Sequence, residues 1–137
     1  MAEVNLTPYE ALGEAKLHEL VNEFYGNVGS HPLLAPIFPK DLSETARKQK
    51  QFLTQFLGGP SIYTEEHGHP MLRARHMPFE ITQKRAEAWL ECMERAMDTV
   101  NVENPLREYI LGRLTMTAQH MINTKESFGS GDFYAKS

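Results

Sequence analysis

His76 is the side chain whose type and position in this sequence most clearly suit chemistry. It follows Leu72 by four residues, so both side chains share one face of a short helix. We expect that helix to begin at Pro70 and to stop at Met77, before Pro78. A helix this short is not stable alone, so its apolar face must pack on the rest of the molecule. His76 therefore points inward, either as a core residue bonded through its ring or as a ligand.

Four other polar side chains fall on helical stripes that are otherwise apolar: Tyr25, Thr45, Gln49 and Trp89. A buried amide or indole N–H needs a partner. Gln49 either tilts to the edge of its stripe and meets water, or it faces a cavity that holds something polar. Together with an inward histidine, these groups fit a core wrapped around a ligand better than a core packed on itself. A planar cofactor explains them, with iron held by His76 on one face and hydrogen-bond donors on the other.

A histidine that holds a metal usually donates its second ring nitrogen to a fixed acceptor. For His76 we expect that acceptor to be the backbone carbonyl of Leu72. His67 and His69 offer a different possibility, because two histidines two residues apart hint at zinc. Nothing near them in the sequence completes a zinc ligand set.

Composition narrows the classes of protein that this chain can represent. Its 137 residues suit one domain with a real core. The net charge of −4 gives no basic surface for nucleic acid, and no apolar run is long enough to cross a membrane. Residues 1–5 lack the basic and apolar regions of a secretory signal, and Cys92 is the only cysteine, so no internal disulfide forms. We therefore expect a cytoplasmic protein.

The helices that position these residues follow from capping signals and apolar spacing, and no segment is a convincing strand. The sequence thus predicts an all-α protein. The first predicted elements are a short helix capped by Thr7 and ended by Gly13, an amphipathic helix over 14–28, and one turn and a corner at Phe38 within the proline-rich stretch 31–39. A helix opened by Asp41 and Glu44 and ended at Gly58 follows, and then a loop over 61–69. The last predicted elements are the short helix of His76, a helix from the Thr82 cap to about Val100, and a final helix capped by Asn104.

Several motifs, taken together, resemble the group II truncated haemoglobins from about Leu6 to Asn123. The matching motifs are Phe24-Tyr25, Pro36-Ile37-Phe38-Pro39, Gly58-Gly59-Pro60, Gly68-His69-Pro70, Leu72-Arg73-Ala74-Arg75-His76-Met77-Pro78-Phe79 and Ala88-Trp89. The resemblance implies a truncated globin fold, a two-over-two helical sandwich around haem b. It implies a globin domain over residues 1–123, and the Lys, Ser, Gly and Asp content of residues 124–137 predicts a flexible C-terminal tail.

The resemblance also implies roles for the polar residues. His76 is the expected proximal iron ligand, and Tyr25 and Trp89 are expected to donate hydrogen bonds to the gas ligand. Thr45 and Gln49 take the two distal positions of the helix that carries them, Thr45 where vertebrate globins have a histidine. The expected partners of the haem propionates are Arg75, Lys48 and Tyr63. The expected haem walls are Phe38, Phe52, Leu72, Phe79, Ile81 and Met93.

The resemblance implies reversible binding of O₂, and of CO or NO, with high O₂ affinity and slow release. A haem enzyme that oxidises nitric oxide or turns over peroxide would use the same residues, and it would need an electron donor or reductase of unknown identity. A helical interaction module without a cofactor is the third alternative. The sequence leaves a monomer and a homodimer equally open.

Overall fold

The computed structural model describes residues 6–125, and within this range the secondary structure is entirely helical, as predicted. Residues 1–5, where no secretory signal is expected, lie outside the described residues, as does the predicted tail beyond Lys125. The seven α-helices of the described range are α1 Pro8–Leu12, α2 Glu14–Gly29, α3 Ser43–Phe56, α4 Ile62–His67, α5 Leu72–His76, α6 Gln83–Thr99 and α7 Leu106–Met121, with a 3₁₀ turn at Ala35–Ile37.

The four long helices form two layers of two. α2 packs against α3 and against α6, and α6 packs against α7. The contact between α2 and α6 is the centre of the core, where the apolar stripe of α2 is fully buried. No helix of the described residues is long and apolar enough to cross a membrane.

Two of the predicted caps are confirmed in atomic detail. The hydroxyl of Thr7 accepts from the backbone N–H of Glu10, and the carboxylate of Glu10 accepts from the backbone N–H of Thr7, both at 3.0 Å. Gly13, with φ of 89°, then separates α1 from α2 at a backbone angle that suits glycine. Thr82 caps α6 by accepting from the N–H of Arg85 at 3.1 Å. These caps fix where the core helices begin.

Three other predicted helix starts are wrong. The carboxylate of Asp41 accepts from the N–H of Ser43 rather than from Glu44, and α3 begins only at Ser43. α5 begins at Leu72 instead of Pro70, and α7 begins at Leu106 without a side-chain cap from Asn104. The side chain of Asp41 shapes the turn before α3, and a local capping signal does not distinguish such a turn from the first helical turn.

The prediction of a loop over residues 61–69 is also wrong, because α4 lies there. The side-chain amide of Gln55 holds α4 against α3: it accepts from the N–H of Thr64 at 2.9 Å and donates to its hydroxyl at 2.8 Å. Arg47 on α3 adds bonds to the carboxylate of Glu66 and lowers its pKa to about 2. A helix of six residues is marginal in isolation, so it forms here because α3 supports it.

Candidate functional site

All the helices except α1 contribute to a cavity of about 380 Å³ whose wall is mainly apolar. Of the fourteen predicted site residues, every one except Met93 lines this cavity. The residues brought together are Tyr25, Phe38, Thr45, Lys48, Gln49, Phe52, Tyr63, Leu72, Arg75, His76, Phe79, Ile81 and Trp89.

The imidazole of His76 is held by its own helix. Its Nδ1 atom lies 2.7 Å from the carbonyl oxygen of Leu72, which confirms the expected acceptor. A carbonyl can only accept, so Nδ1 carries a proton and donates, and in the neutral imidazole Nε2 then has the lone pair. Nε2 makes no hydrogen bond to any of residues 6–125, and His76 is half-buried at the cavity. The arrangement presents one neutral imidazole nitrogen as a metal ligand.

Tyr25 and Trp89 bring two hydrogen-bond donors to the same cavity. The hydroxyl of Tyr25 and the indole N–H of Trp89 have no hydrogen-bond partner within residues 6–125. Tyr25 is buried, and burial raises the pKa of its hydroxyl above the ordinary value of 10.0. At neutral pH the hydroxyl is therefore protonated and available as a donor.

Thr45 and Gln49 lie one turn apart on α3, where both are half-buried and line the cavity. Neither side chain is hydrogen-bonded to the part of the chain that the structure describes. Of the two alternatives for Gln49, the structure favours the one in which it faces a cavity. Two further polar groups thus line a largely apolar space, where an unpaired amide is costly.

Among residues 6–125, the permanent charges in the cavity wall are all positive. Lys48, Arg75 and Arg85 line it, and no Asp or Glu of that range does, although the whole chain carries a net charge of −4. Arg75 donates through Nε to the carbonyl of Pro70 at 2.6 Å, and its guanidinium carbon lies 5.9 Å from the ring centre of Tyr63. This cluster suits a ligand that carries carboxylates.

Met93, predicted on a haem wall, lies in the packed core and does not line the cavity. It sits four residues beyond Trp89 on α6, where the apolar face of that helix turns from the cavity to α2. Periodicity places both residues on one stripe, but it does not show where along the stripe the cavity ends.

The cavity also includes side chains that the sequence did not single out as site residues. Those on α6 and α7 lie at helical spacing along each of these helices, so the helical period was the available signal for them. These additional lining residues are Leu34, Ile37, Pro39, Arg85, Ala86, Leu114, Thr117, Ala118 and Met121.

The structure gives no support for the possible zinc site at His67 and His69. The Nε2 atom of His67 lies 2.8 Å from the side-chain oxygen of Gln51. Within residues 6–125 there is no group of three or more His, Cys, Asp or Glu side chains placed to hold a metal ion. His67 is therefore best described as part of the contact between α3 and α4.

The residues of the cavity fit haem. Its iron needs one imidazole nitrogen with a free lone pair, its ring needs flat apolar walls, and its propionates need cations. The cavity offers His76 Nε2, aromatic side chains such as Phe38 and Phe52, and the cations Arg75 and Lys48. Because these three requirements are chemically different, a cavity that meets all three is a specific indication of a haem site.

Comparisons with known proteins agree with this reading of the cavity. Residues 7–123 match the family described as bacterial-like globin. The chain is 67% identical over 120 residues to the Group 2 truncated hemoglobin YjbI of Bacillus subtilis. The aligned region covers 88% of this chain and 91% of that protein.

Solved structures show the same similarity. The group II truncated haemoglobin of Bacillus anthracis superposes with a TM-score of 0.91 at 63% identity, over 93% of this chain and 99% of that one. A truncated oxygen-avid haemoglobin from Bacillus subtilis gives a TM-score of 0.85 at 67% identity, over 86% of this chain and all of that one. A globin of this kind is a haem protein that binds small gas ligands. The chain therefore belongs to the bacterial-like globin family and, within it, to the group II truncated haemoglobins.

Proposed function

We propose that this chain binds O₂ reversibly, with high affinity and slow release, at a haem b held by His76. The observation that carries the proposal is that Tyr25 and Trp89 bring donors, which no residue of the described range 6–125 engages, into the cavity that His76 also lines. The similar Bacillus subtilis structure is that of a protein described as oxygen-avid, which supports the same reading.

On the histidine side, Nε2 of His76 is the atom that would hold the iron. The carbonyl of Leu72 keeps the proton on Nδ1 and makes Nε2 a better donor of its lone pair. The haem, when bound, supplies the iron at which a diatomic gas binds. Arg75 and Lys48 would hold the propionates, with Tyr63 beside them, and so fix the orientation of the ring.

On the ligand side, discrimination between gases comes from hydrogen bonds. At a ferrous haem, O₂ would carry more negative charge than CO, so it would accept hydrogen bonds from these side chains more strongly. The hydroxyl of Tyr25 and the N–H of Trp89 are donors, and the amide of Gln49 can be one. Each bond contributes about 1–2 kcal/mol. Two or three together slow O₂ release by about a hundred- to a thousandfold, at about 1.4 kcal/mol for each factor of ten.

The donor roles are tested with Tyr25→Phe, which removes only a hydroxyl, and with Trp89→Phe, which removes the indole N–H together with part of the ring. Stopped-flow measurements should show faster O₂ release from each variant and smaller changes in CO release. Tyr109→Phe, on an exposed part of α7, is the matched control and should release O₂ at the wild-type rate. Unchanged O₂ release in both cavity variants would refute the assignment.

The role of His76 is tested separately by His76→Gly. The purified wild type should show an intense Soret band from bound haem, and the variant should lose the spectrum of a histidine-bound iron. Added imidazole should restore that spectrum, because it can occupy the space that the side chain leaves. A variant with an unaltered spectrum would show that another residue holds the iron.

An enzymatic role would use the same residues, so it is distinguished by turnover. Oxidation of nitric oxide or turnover of peroxide faster than by free haemin would identify a haem enzyme supplied by a separate electron donor. We propose further that the protein works in the cytoplasm and that a separate electron donor returns the iron to the ferrous state. Membership of the globin family leaves no place for the alternative of a helical module without a cofactor.

A further inference from the structure

The helix that carries His76 does not hold its own position. α5 has five residues, and none of the side chains that the structure describes caps its start. Met71, which precedes it, has φ of 47°, a left-handed backbone angle that costs energy for a residue with a side chain. The position of His76 therefore depends on what the rest of the molecule does to α5 and to the turn that follows it.

Asn123, just beyond the end of α7, binds three residues of that turn through four hydrogen bonds. Its Nδ2 atom donates to the carbonyl of His76 at 3.2 Å and to the carbonyl of Phe79 at 3.0 Å. Its Oδ1 atom accepts from the backbone N–H of Ile81 at 2.9 Å, and its own N–H donates to the carbonyl of Ile81 at 2.9 Å. The hydroxyl of Thr124 donates to Oδ1 at 2.7 Å and fixes the rotation of the amide.

Arg73 makes the reciprocal connection from α5 to α7. Its Nη1 atom donates to the carbonyl of His120 at 2.6 Å and to that of Ile122 at 3.1 Å. The last carbonyls of a helix have no partner within the helix and carry partial negative charge, so a guanidinium there is favourable. Arg73 on α5 and Asn123, just beyond α7, thus join α5 to the end of α7 in both directions.

We propose that Asn123 is a positioning residue for His76. The carbonyl of Leu72 fixes one edge of the imidazole, and Nδ2 of Asn123 fixes the backbone of the same residue. Together they set how far Nε2 extends into the cavity and how the ring is rotated. This inference rests on the proposed role of His76 as the iron ligand. It adds that the segment just beyond α7 determines the strength and geometry of that bond through an asparagine that does not line the cavity.

The test compares Asn123→Ala with Arg113→Ala. Arg113 also reaches from α7 to a backbone carbonyl of another helix, donating to Phe56 at 2.9 Å, but it does not line the cavity. The readouts are the iron–histidine stretching band of the ferrous protein by resonance Raman spectroscopy, the rate of haem transfer to an excess of apomyoglobin, and the free energy of unfolding in urea. Asn123→Ser, which keeps a small polar group, is the milder variant if Asn123→Ala does not fold.

We expect both Asn123 variants to shift the iron–histidine band and to lose haem about tenfold faster, the effect of removing a partner that orients a metal ligand. Arg113→Ala should lower stability and leave the band and haem loss unchanged. If the Asn123 variants lose stability while the band and haem loss stay as in the wild type, Asn123 is only a structural residue and the inference is wrong. A wild type without an iron–histidine band would instead contradict the proposed role of His76.

Discussion

The ring of Phe24 meets the indole of Trp89 edge-on, with 4.8 Å between the ring centres and 63° between the ring planes. The same ring lies 4.8 Å from the ring of Tyr25 at an angle of 73°. Phe24 is fully buried, so it cannot turn away from either neighbour. One core side chain on α2 therefore orients both of the donors that the cavity brings together.

Replacing Phe24 by leucine should disturb stability and ligand release together. Two edge-on aromatic pairs are lost, each worth about 0.5–1.5 kcal/mol. We expect the free energy of unfolding to fall by about 1–3 kcal/mol. O₂ release should become faster as well, because the rings of Tyr25 and Trp89 gain freedom to turn. Urea denaturation and stopped-flow release measure the two effects.

Phe56→Leu is the matched control, because Phe56 packs on Phe52 at 5.3 Å between ring centres and does not line the cavity. It should lower stability without changing O₂ release. Equal effects of the two substitutions on release would show that Phe24 does not act through the donors.

Four side chains of the cavity were accessible to prediction from the residues alone because each breaks a local pattern; the propionate partners and the haem walls came from the family resemblance. Tyr25, Gln49 and Trp89 are polar groups on apolar stripes, and His76 is an inward residue on a helix that needs outside support. Such contradictions between local pattern and residue type mark places where the core is shaped by something other than its own packing. The all-α fold and the confirmed caps follow from equally local signals.

The parts that sequence did not predict depend on contacts between distant residues. α4 exists because Gln55 binds Thr64 across two helices, and α5 is held by Asn123, more than forty residues away. The composition of residues 61–69 gives no sign of the contact between Gln55 and Thr64. Asn123 likewise resembles any polar residue that follows a helix, so its three-point contact became visible only in the fold.

The buried hydroxyl of Tyr25 should make the protein less stable at alkaline pH. Below pH 10 both the folded and the unfolded chain keep its proton, so this group adds no pH dependence. Above pH 10 the unfolded chain releases the proton, while burial raises the pKa of Tyr25 in the folded chain and retains it. The free energy of unfolding then falls by up to about 1.4 kcal/mol per pH unit from this group.

Tyr25→Phe removes this contribution. Urea denaturation between pH 8 and about pH 11 should show a shallower alkaline loss of stability in Tyr25→Phe than in the wild type. Tyr109→Phe, at a half-exposed ring on α7, should follow the wild-type curve. Parallel curves for wild type and Tyr25→Phe would mean that the Tyr25 hydroxyl titrates in the folded chain as it does in the unfolded one.

Gln49→Leu should accelerate the release of O₂ more than the release of CO. Leucine fills a similar space without an amide, so a donor to the more negatively charged ligand is lost. One such bond corresponds to about a tenfold faster O₂ release and a smaller change for CO. Gln51→Leu is the control on the same helix, because its amide is used by Glu66 and His67. Equal acceleration of O₂ and CO release would point to a change in the access path instead of a lost hydrogen bond.

Arg85 joins three segments around the cavity, and its replacement should loosen the site. From the first turn of α6 it donates through Nε to the carbonyl of Leu33 at 2.9 Å and through Nη1 to the carbonyl of Glu80 at 2.7 Å. Its side chain is only 19% exposed. Arg85→Met keeps an apolar stem and removes both bonds, so the free energy of unfolding should fall by about 1–2 kcal/mol, since water replaces part of what is lost. Haem should also be lost faster, because both segments form the cavity wall.

Arg107→Met provides the comparison that isolates the cavity. Arg107 is 24% exposed, and it joins α7 to α6 through the carboxylate of Asp98 at 2.8 Å, outside the cavity lining. Transfer of haem to apomyoglobin should be accelerated by Arg85→Met and not by Arg107→Met, while urea denaturation should show that both variants are destabilised. If the two substitutions accelerate haem loss equally, the effect comes from global stability, and the contacts of Arg85 with Leu33 and Glu80 have no specific part in retaining the cofactor.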